Sequence, residues 1–210
     1  MTGYGKRMAG LISAWFVFAL VASAMEVFKN PTNQVGSAVA VAAVTPIVLF
    51  ALWFAGSVRF REFAMSLNPR TLTAVQSWRL IGFTFVLLEA HGQLPALFAL
   101  PAGYGDMFIG ATATFVAWKL GDGEHRSGFI FWQALGILDL VVAVGLGTTA
   151  RWIDPQSVSM LPMTVLPLSL VPTFLVPLFL ILHVISIAQA RRWTGNERTK
   201  VIGEVLKATA

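Results

Sequence analysis

The chain contains no cysteine, and only 12% of its residues are charged. Without a thiol there is no disulfide, no thiolate metal site, no cysteine-held iron–sulfur cluster and no cysteine nucleophile. The same absence leaves the redox compartment undecided. A soluble domain has about 25% charged residues. The low charge, together with 56% hydrophobic residues and a mean hydropathy of +0.72, is therefore typical of a membrane protein.

The common signatures of nucleotide-binding proteins and hydrolases are also missing. The sequence has no phosphate-binding P-loop, no G-x-G-x-x-G, no G-x-S-x-G and no H-E-x-x-H. The segments between its apolar runs are short and leave no room for a separate soluble catalytic domain. An enzyme is therefore the less favoured class of protein.

Charged residues cluster between long apolar runs, which is the pattern of a multi-pass membrane protein. In lipid each backbone amide must be bonded within its own segment, so these runs predict helices. We predict an all-α integral membrane helical bundle with six transmembrane helices. The predicted spans are residues 8–25, 35–57, 72–100, 105–120, 128–150 and 163–190.

Basic residues are distributed asymmetrically around these spans. With the N-terminus inside, 13 of the 15 Lys and Arg residues fall on the cytoplasmic side, and only Lys29 and Arg151 fall outside. This distribution predicts a protein integral to the cell membrane with both termini cytoplasmic. It also explains the net charge of +5, so we do not predict nucleic-acid binding. The expected partners are the lipid bilayer and a small solute or ion.

Both ends of the chain leave alternatives. Lys6 and Arg7, an apolar stretch and the triplet at 22–24 also fit a cleaved signal peptide, which would leave five spans. We favour a retained first helix because its apolar stretch is long for a signal peptide. Residues 1–190 are predicted to form one polytopic membrane domain. Residues 191–210 are predicted to form a cytoplasmic tail, either a short interfacial helix or a frayed polar end.

Four of the ionisable residues inside the predicted spans fall at a similar, central depth. If the third span starts after Arg79, His91 lies about 18 Å deep, close to the middle of a hydrocarbon core about 30 Å thick. Ionisable groups at that depth cost roughly 2.5–3.5 kcal/mol each on insertion scales and usually mark functional sites. We therefore predict a ligand- or proton-binding site formed by residues from three helices: Glu89, His91, Asp139 and His183.

A second register is open for the third span. If the helix starts at Thr71, Glu89 and His91 reach the outer interface, and residues 92–104 become a loop or a re-entrant segment. We favour the central register, because the stretch PALFA is too apolar for an open loop. The earlier start would also bury Gln76 and an arginine close to the inner boundary.

Two further charged residues receive structural interpretations. Arg79, at the inner boundary of the third span, is predicted to extend to the lipid headgroups. Asp106, in the sequence AGYGD, is predicted to cap the start of a helix in the outer turn. Neither residue is predicted to join the site.

Prolines recur every five residues from just before the last span into its first half: Pro162, Pro167, Pro172 and Pro177. A proline inside a helix removes an amide donor and clashes with the carbonyl four residues earlier. The outer half of this span is therefore predicted to be kinked or partly unwound. Nearby hydroxyl groups can bond the freed carbonyls, and they belong to Thr164, Ser169 and Thr173.

Three functions are compatible with these features. The preferred one is a small transporter or permease with a midplane acid/histidine site coupled to protons or ions. The second is a single-haem cytochrome b-like electron-transfer protein, in which His91 and His183 would be the axial ligands of haem b. The third is a non-catalytic accessory subunit. Small-residue pairs such as Gly110 with Thr114 would allow close helix packing, within the chain or in a homo-oligomer.

Overall fold

The computed structural model describes residues 3–30, 35–121 and 123–208, without the side chains of Arg151 and of residues 194–208. The described residues are all-helical, as predicted, with no strand. Within them, five helices are long and apolar enough to cross a membrane: Gly3–Ala24, Ser37–Gly56, Pro69–Ala90, Arg126–Ala150 and Val171–Trp193.

The first two helices, α1 (Gly3–Ala24) and α2 (Ser37–Gly56), are apolar around most of their surface and largely exposed. Such helices suit a lipid environment. α1 contacts the rest of the bundle through aromatic rings, with Trp15 packing on Phe174 at a centroid distance of 4.7 Å. An apolar cleft of about 910 Å³ lies between α1, α2 and the last helix.

A sharp turn connects α2 to a short amphipathic helix, α3 (Val58–Ser66). Ser57 caps α3 by accepting a hydrogen bond from the Phe60 amide at 3.3 Å. The Arg61 guanidinium donates to the carbonyls of Phe54 and Ala55, which end α2. These contacts fix the direction in which the chain leaves α2.

The third long helix, Pro69–Ala90, is continuous but not uniform. It begins as α4 (Pro69–Ala74), where the Asn68 side chain accepts from the Arg70 amide and proline occupies the first turn. It continues as a 3₁₀ segment, Val75–Gly82, and ends as α5, Phe83–Ala90. A 3₁₀ run of this length is uncommon, and residues three apart on it share a face.

The chain reverses between His91 and Pro95, in the middle of the predicted 72–100 span. Gly92 has φ of +67°, a conformation that glycine adopts without strain. α6 then runs from Ala96 to Lys119. The predicted boundaries 72–100 and 105–120 are therefore wrong, and so is the central register. The PALFA stretch is apolar because it begins α6, where Phe98 and Ala99 are buried in the core.

α6 packs antiparallel along the whole Pro69–Ala90 helix. At one end Phe85 and Phe98 are in ring contact at 5.6 Å. In the middle, a Cβ built on Gly110 would lie 2.6 Å from the backbone nitrogen of Leu80. At the other end, a Cβ on Gly121 would lie 2.8 Å from Arg70 Cγ. Small residues thus allow the two helices to approach closely, as is usual in membrane bundles.

The last two long helices are α7, Arg126–Ile153, and α8, Val176–Ala208. As predicted, the proline-rich stretch before α8 is not regular α-helix. It contains a 3₁₀ turn at Leu161–Thr164 and a π turn at Val171–Leu175. The Thr173 hydroxyl donates to the Ser169 carbonyl at 2.7 Å, which is one of the expected hydroxyl–carbonyl bonds.

The tail predicted at 191–210 does not begin at a break in the backbone. α8 passes through residue 190 and stays helical to Ala208. The side chains that would make this part interfacial, from Val201 to Leu206, lie outside the described residues. The interfacial helix therefore stays a prediction.

Two apolar clusters form most of the core around α6. The first, named the outer core cluster after the predicted orientation, joins α5, α6 and the proline-rich stretch and contains Phe85, Leu94, Phe98, Ala99, Ala102, Met160, Met163 and Val171. The second, named the inner cluster in the same way, joins α6, α7 and α8 and contains Ile109, Ala113, Val116, Phe129, Trp132 and Ala190. The residues of α6 that lie between these clusters include a buried aspartate, Asp106.

Candidate functional site

The 3₁₀ segment carries a buried arginine that contacts three other helices. Arg79 is only 1% exposed. Its Nε donates to Asp106 Oδ1 on α6 at 2.7 Å, and its Nη2 donates to Asp139 on α7. Its Nη1 lies 3.2 Å from His183 Nε2 on α8 and donates to the Gly136 carbonyl at 3.2 Å. These four side chains are called the Arg79 cluster below: Arg79, Asp106, Asp139 and His183.

The hydrogen bonds around His183 define its protonation. Arginine has no acceptor, so His183 Nε2 must accept the Arg79 N–H and carry no proton. Its Nδ1 then donates to Gln133 Oε1, while Gln133 Nε2 donates to Thr73 Oγ1 at 2.9 Å. The imidazole is therefore neutral and held from both sides. His183, Gln133 and Thr73 are each 0% exposed.

Glycines on α6 and α7 make room for the cluster. A Cβ on Gly105 would overlap Asp139 Oδ1, and a Cβ on Gly136 would overlap the His183 ring. The 3₁₀ spacing brings Gln76 and Arg79 to one interior face, and Thr73 at the end of α4 is buried with them. Close helix approach and this shared face together position the guanidinium between the two carboxylates.

The cluster lies near mid-depth of the long helices. Arg79 is nine residues after Arg70, which is about 15 Å along α4 and the 3₁₀ segment. His183 is eight residues before Arg191, about 12 Å along α8. Both distances are close to half of a hydrocarbon core about 30 Å thick.

The charges of the cluster do not balance. One guanidinium faces two carboxylates, and the neutral imidazole adds no charge. With both aspartates ionised, the cluster carries one uncompensated negative charge in a buried site. Such a charge is strongly unfavourable, and one proton or one monovalent cation is enough to neutralise it.

The structure brings two of the four predicted site residues together and separates the other two from them. Asp139 and His183 share the Arg79 guanidinium. Glu89 is half-buried and His91 is exposed at the end of α5, where His91 Nδ1 donates to the Leu87 carbonyl at 2.7 Å. His91 is 12 residues beyond Arg79, about 18 Å or more along the helix. The predicted convergence of all four residues is therefore wrong.

The interpretations of Arg79 and Asp106 are also corrected. Arg79 does not extend to headgroups, because partners on three helices hold it inside. Asp106 is not a helix cap, because α6 begins ten residues earlier at Ala96. The sequence held one signal for this site: Thr73, Gln76 and Arg79 recur every three residues. The expected cost of burying Gln76 and Arg79, together with the apolar PALFA stretch, favoured the other register.

A haem between two histidines does not fit this arrangement. Both nitrogens of His183 are engaged, by Gln133 and by Arg79. His91 lies at the far end of α5 and cannot reach the same iron. Across the described residues, no group of three or more His, Asp and Glu side chains is arranged to hold a metal ion.

Comparison with known families gives one match. A family described as a domain of unknown function (DUF8737) matches residues 34–191, which is more than half of the chain and includes the whole Arg79 cluster. α1 lies before the matched region. No curated protein and no solved structure matches the chain significantly.

Proposed function

The chain belongs to the DUF8737 family, and we propose that it is a six-span membrane transporter of a small solute, driven by proton exchange at the Arg79 cluster. The observation that carries this proposal is the sharing of one buried guanidinium between carboxylates of α6 and α7. Ionisable groups held inside a membrane bundle are costly and typically serve ion or proton pathways.

The sixth span in this proposal is α6. It has 24 residues, about 36 Å of helix, which is enough to cross the hydrocarbon core. It packs antiparallel along Pro69–Ala90, itself one of the five candidate spans. If Pro69–Ala90 crosses the membrane, its partner α6 crosses back. Both termini then lie in the cytoplasm, in agreement with the basic residues that flank the helices.

The proposed role of the cluster is that of a proton-controlled clamp. A proton on Asp139 removes the excess negative charge and weakens the ion pair between α7 and the 3₁₀ segment. The two aspartate side chains are almost equally exposed, 12% for Asp106 and 14% for Asp139, and Asp139 is the one whose protonation would loosen α7. Loss of the proton restores the pair and draws the helices together. Irregular helical segments often act as hinges, and the 3₁₀ segment carries Arg79 itself.

Proton flux in reconstituted vesicles tests the proposal. Purified protein is placed in liposomes that contain a pH-sensitive dye, and a panel of amino acids, sugars, carboxylates and organic cations is added. We expect at least one solute to produce a proton flux that falls at least tenfold in Asp139→Asn. Glu89→Gln is the matched control, because it removes a carboxylate outside the cluster and should retain the flux.

The accessory-subunit hypothesis predicts a different result. A cluster that only holds helices in register would give no solute-dependent proton flux with any member of the panel. Asp139→Asn would then change thermal stability alone. That combination would contradict the transporter proposal.

A further inference from the structure

A line of buried polar side chains leads from the Arg79 cluster toward the inner end of the bundle. On one side it is formed by Thr73 and Gln76, which precede Arg79 at intervals of three. On the other side it is formed by Ser186 and Gln189, which follow His183 at the same interval. All four are at most 5% exposed. We call these four residues the polar seam.

Three polar atoms of the seam are buried without a hydrogen-bond partner: Gln76 Oε1, Ser186 Oγ and Gln189 Oε1. The amide nitrogens of the two glutamines are bonded. Gln76 Nε2 donates to the Phe179 carbonyl at 3.2 Å, and Gln189 Nε2 donates to the Leu67 carbonyl at 2.8 Å. Buried polar atoms in proteins are nearly always bonded to protein or to ordered water. These three therefore indicate a hydrated path.

The inner end of the seam reaches a small cavity. A space of about 330 Å³ is lined by Gln189 together with Met65, Leu67, Pro69, Arg192 and Trp193. Gln189 thus belongs to both the cavity and the seam. It also holds the turn between α3 and α4 by donating to the carbonyls of Ala64 and Leu67. Arg192 beside this cavity is one of the basic residues that mark the cytoplasmic side.

The distance from the cavity to the cluster is short. Gln189 is six residues from His183, about 9 Å along α8, with Ser186 midway. This corresponds to about three hydrogen-bonded water steps of roughly 2.8 Å. On the opposite side of the cluster, apolar side chains from Phe85 to Val171 form the outer core cluster. The proline-rich stretch beside it also buries Ser169, whose Oγ has no hydrogen-bond partner. The seam, with three such atoms, is the more continuous polar path for water.

We propose that the polar seam is a water-filled inlet that connects the cytoplasm to the Arg79 cluster, while the outer core cluster closes the cluster from the other side. Gln189 forms its entrance, Ser186 lines its middle, and Gln76 lies at its end with His183 and Arg79. The use of the inlet by protons rests on the proposed function. The existence of the inlet does not depend on it.

Cysteine accessibility tests the inlet directly, because the chain has no native cysteine. Ser186→Cys changes one buried atom and introduces a single thiol. A membrane-impermeant cationic methanethiosulfonate reacts with thiolates that water can reach. Ala190→Cys is the matched control: it lies four residues further along α8, is 0% exposed, and belongs to the apolar inner cluster. Both variants are first shown to melt like the cysteine-free protein.

The reagent is added separately to vesicles of each orientation. We expect Ser186→Cys to react at least tenfold faster than Ala190→Cys, and only from the cytoplasmic side. Equal rates for the two thiols, or reaction of Ser186→Cys only from the outer side, would overturn the inlet. Labelling requires no transport, so an accessible Ser186→Cys without any proton flux would retain the inlet and reject the proposed function. Proton flux together with an inaccessible Ser186→Cys thiol would reject the inlet and retain the proposed function.

Discussion

Arg79 Nε and Asp106 Oδ1 lie 2.7 Å apart, although 27 residues and a chain reversal separate them in sequence. The pair joins the 3₁₀ segment to α6 inside the bundle, where the arginine is almost completely buried. The same guanidinium binds α7 through Asp139 and α8 through His183. One side chain thus connects four helical elements, and its removal should affect all of them.

Loss of Arg79 should destabilise the fold strongly. Arg79→Met leaves two carboxylates buried without a counter-charge, and breaking a buried pair in this way typically costs about 3–5 kcal/mol. Adding Asp106→Asn and Asp139→Asn to Arg79→Met should recover much of this loss, because the uncompensated charges are then gone. Thermal unfolding in detergent measures both effects. Arg192→Met, at an exposed position, is the control. A single Arg79→Met variant as stable as the wild type would contradict the described burial.

Gly136, which lies beside the cluster on α7, should not tolerate a methyl group. Gly136→Ala places Cβ against the His183 ring, and overpacking of this kind typically costs about 1–3 kcal/mol. Gly145→Ala is the control on the same helix, since a Cβ there meets no atom within 4 Å. It should be neutral or stabilise by up to about 1 kcal/mol through helix propensity. Unfolding of the two variants side by side gives the comparison, and equal stabilities would argue against the close α7–α8 contact.

Residues at the end of α5 should be dispensable for the cluster. His91→Ala and Glu89→Gln remove groups that are exposed or half-buried and that make no contact with Arg79. We expect both variants to unfold within about 0.5 kcal/mol of the wild type, as is usual for surface substitutions. Asp139→Asn, by contrast, should shift unfolding clearly. The idea fails if His91→Ala disturbs stability as much as Asp139→Asn does.

The six-span topology can be tested with two exposed positions that flank α6. Gln93→Cys lies in the turn before α6, and Ser127→Cys lies in the first turn of α7. If α6 crosses the membrane, an impermeant thiol reagent should label these two variants from opposite sides, Gln93→Cys from outside and Ser127→Cys from the cytoplasm. Labelling of both variants from the same side would show that α6 does not cross the membrane. The cysteine-free parent provides the blank.

Local patterns in the sequence were sufficient for the helical class and for the irregular start of the last helix. Long apolar runs allow only helices in lipid, and five of the described helices are long and apolar enough to cross. A proline at every fifth position cannot fit a regular α-helix, and 3₁₀ and π turns occupy the Leu161–Leu175 stretch. These features depend on neighbours in sequence, so sequence alone determined them.

Only the tertiary structure decided which buried ionisable side chains contact each other. Taken alone, Arg79 and Asp106 have ordinary interpretations at a membrane boundary and at a helix start. Their role changes because the chain reverses at Gly92 and because glycines let α6 approach the 3₁₀ segment, which brings together groups distant in sequence. Glu89 and His91 do not join the cluster, because they lie 10 and 12 residues beyond Arg79 at the far end of α5. Apolar periodicity determined which segments are helices, whereas the register of the packed helices determined which ionisable groups meet.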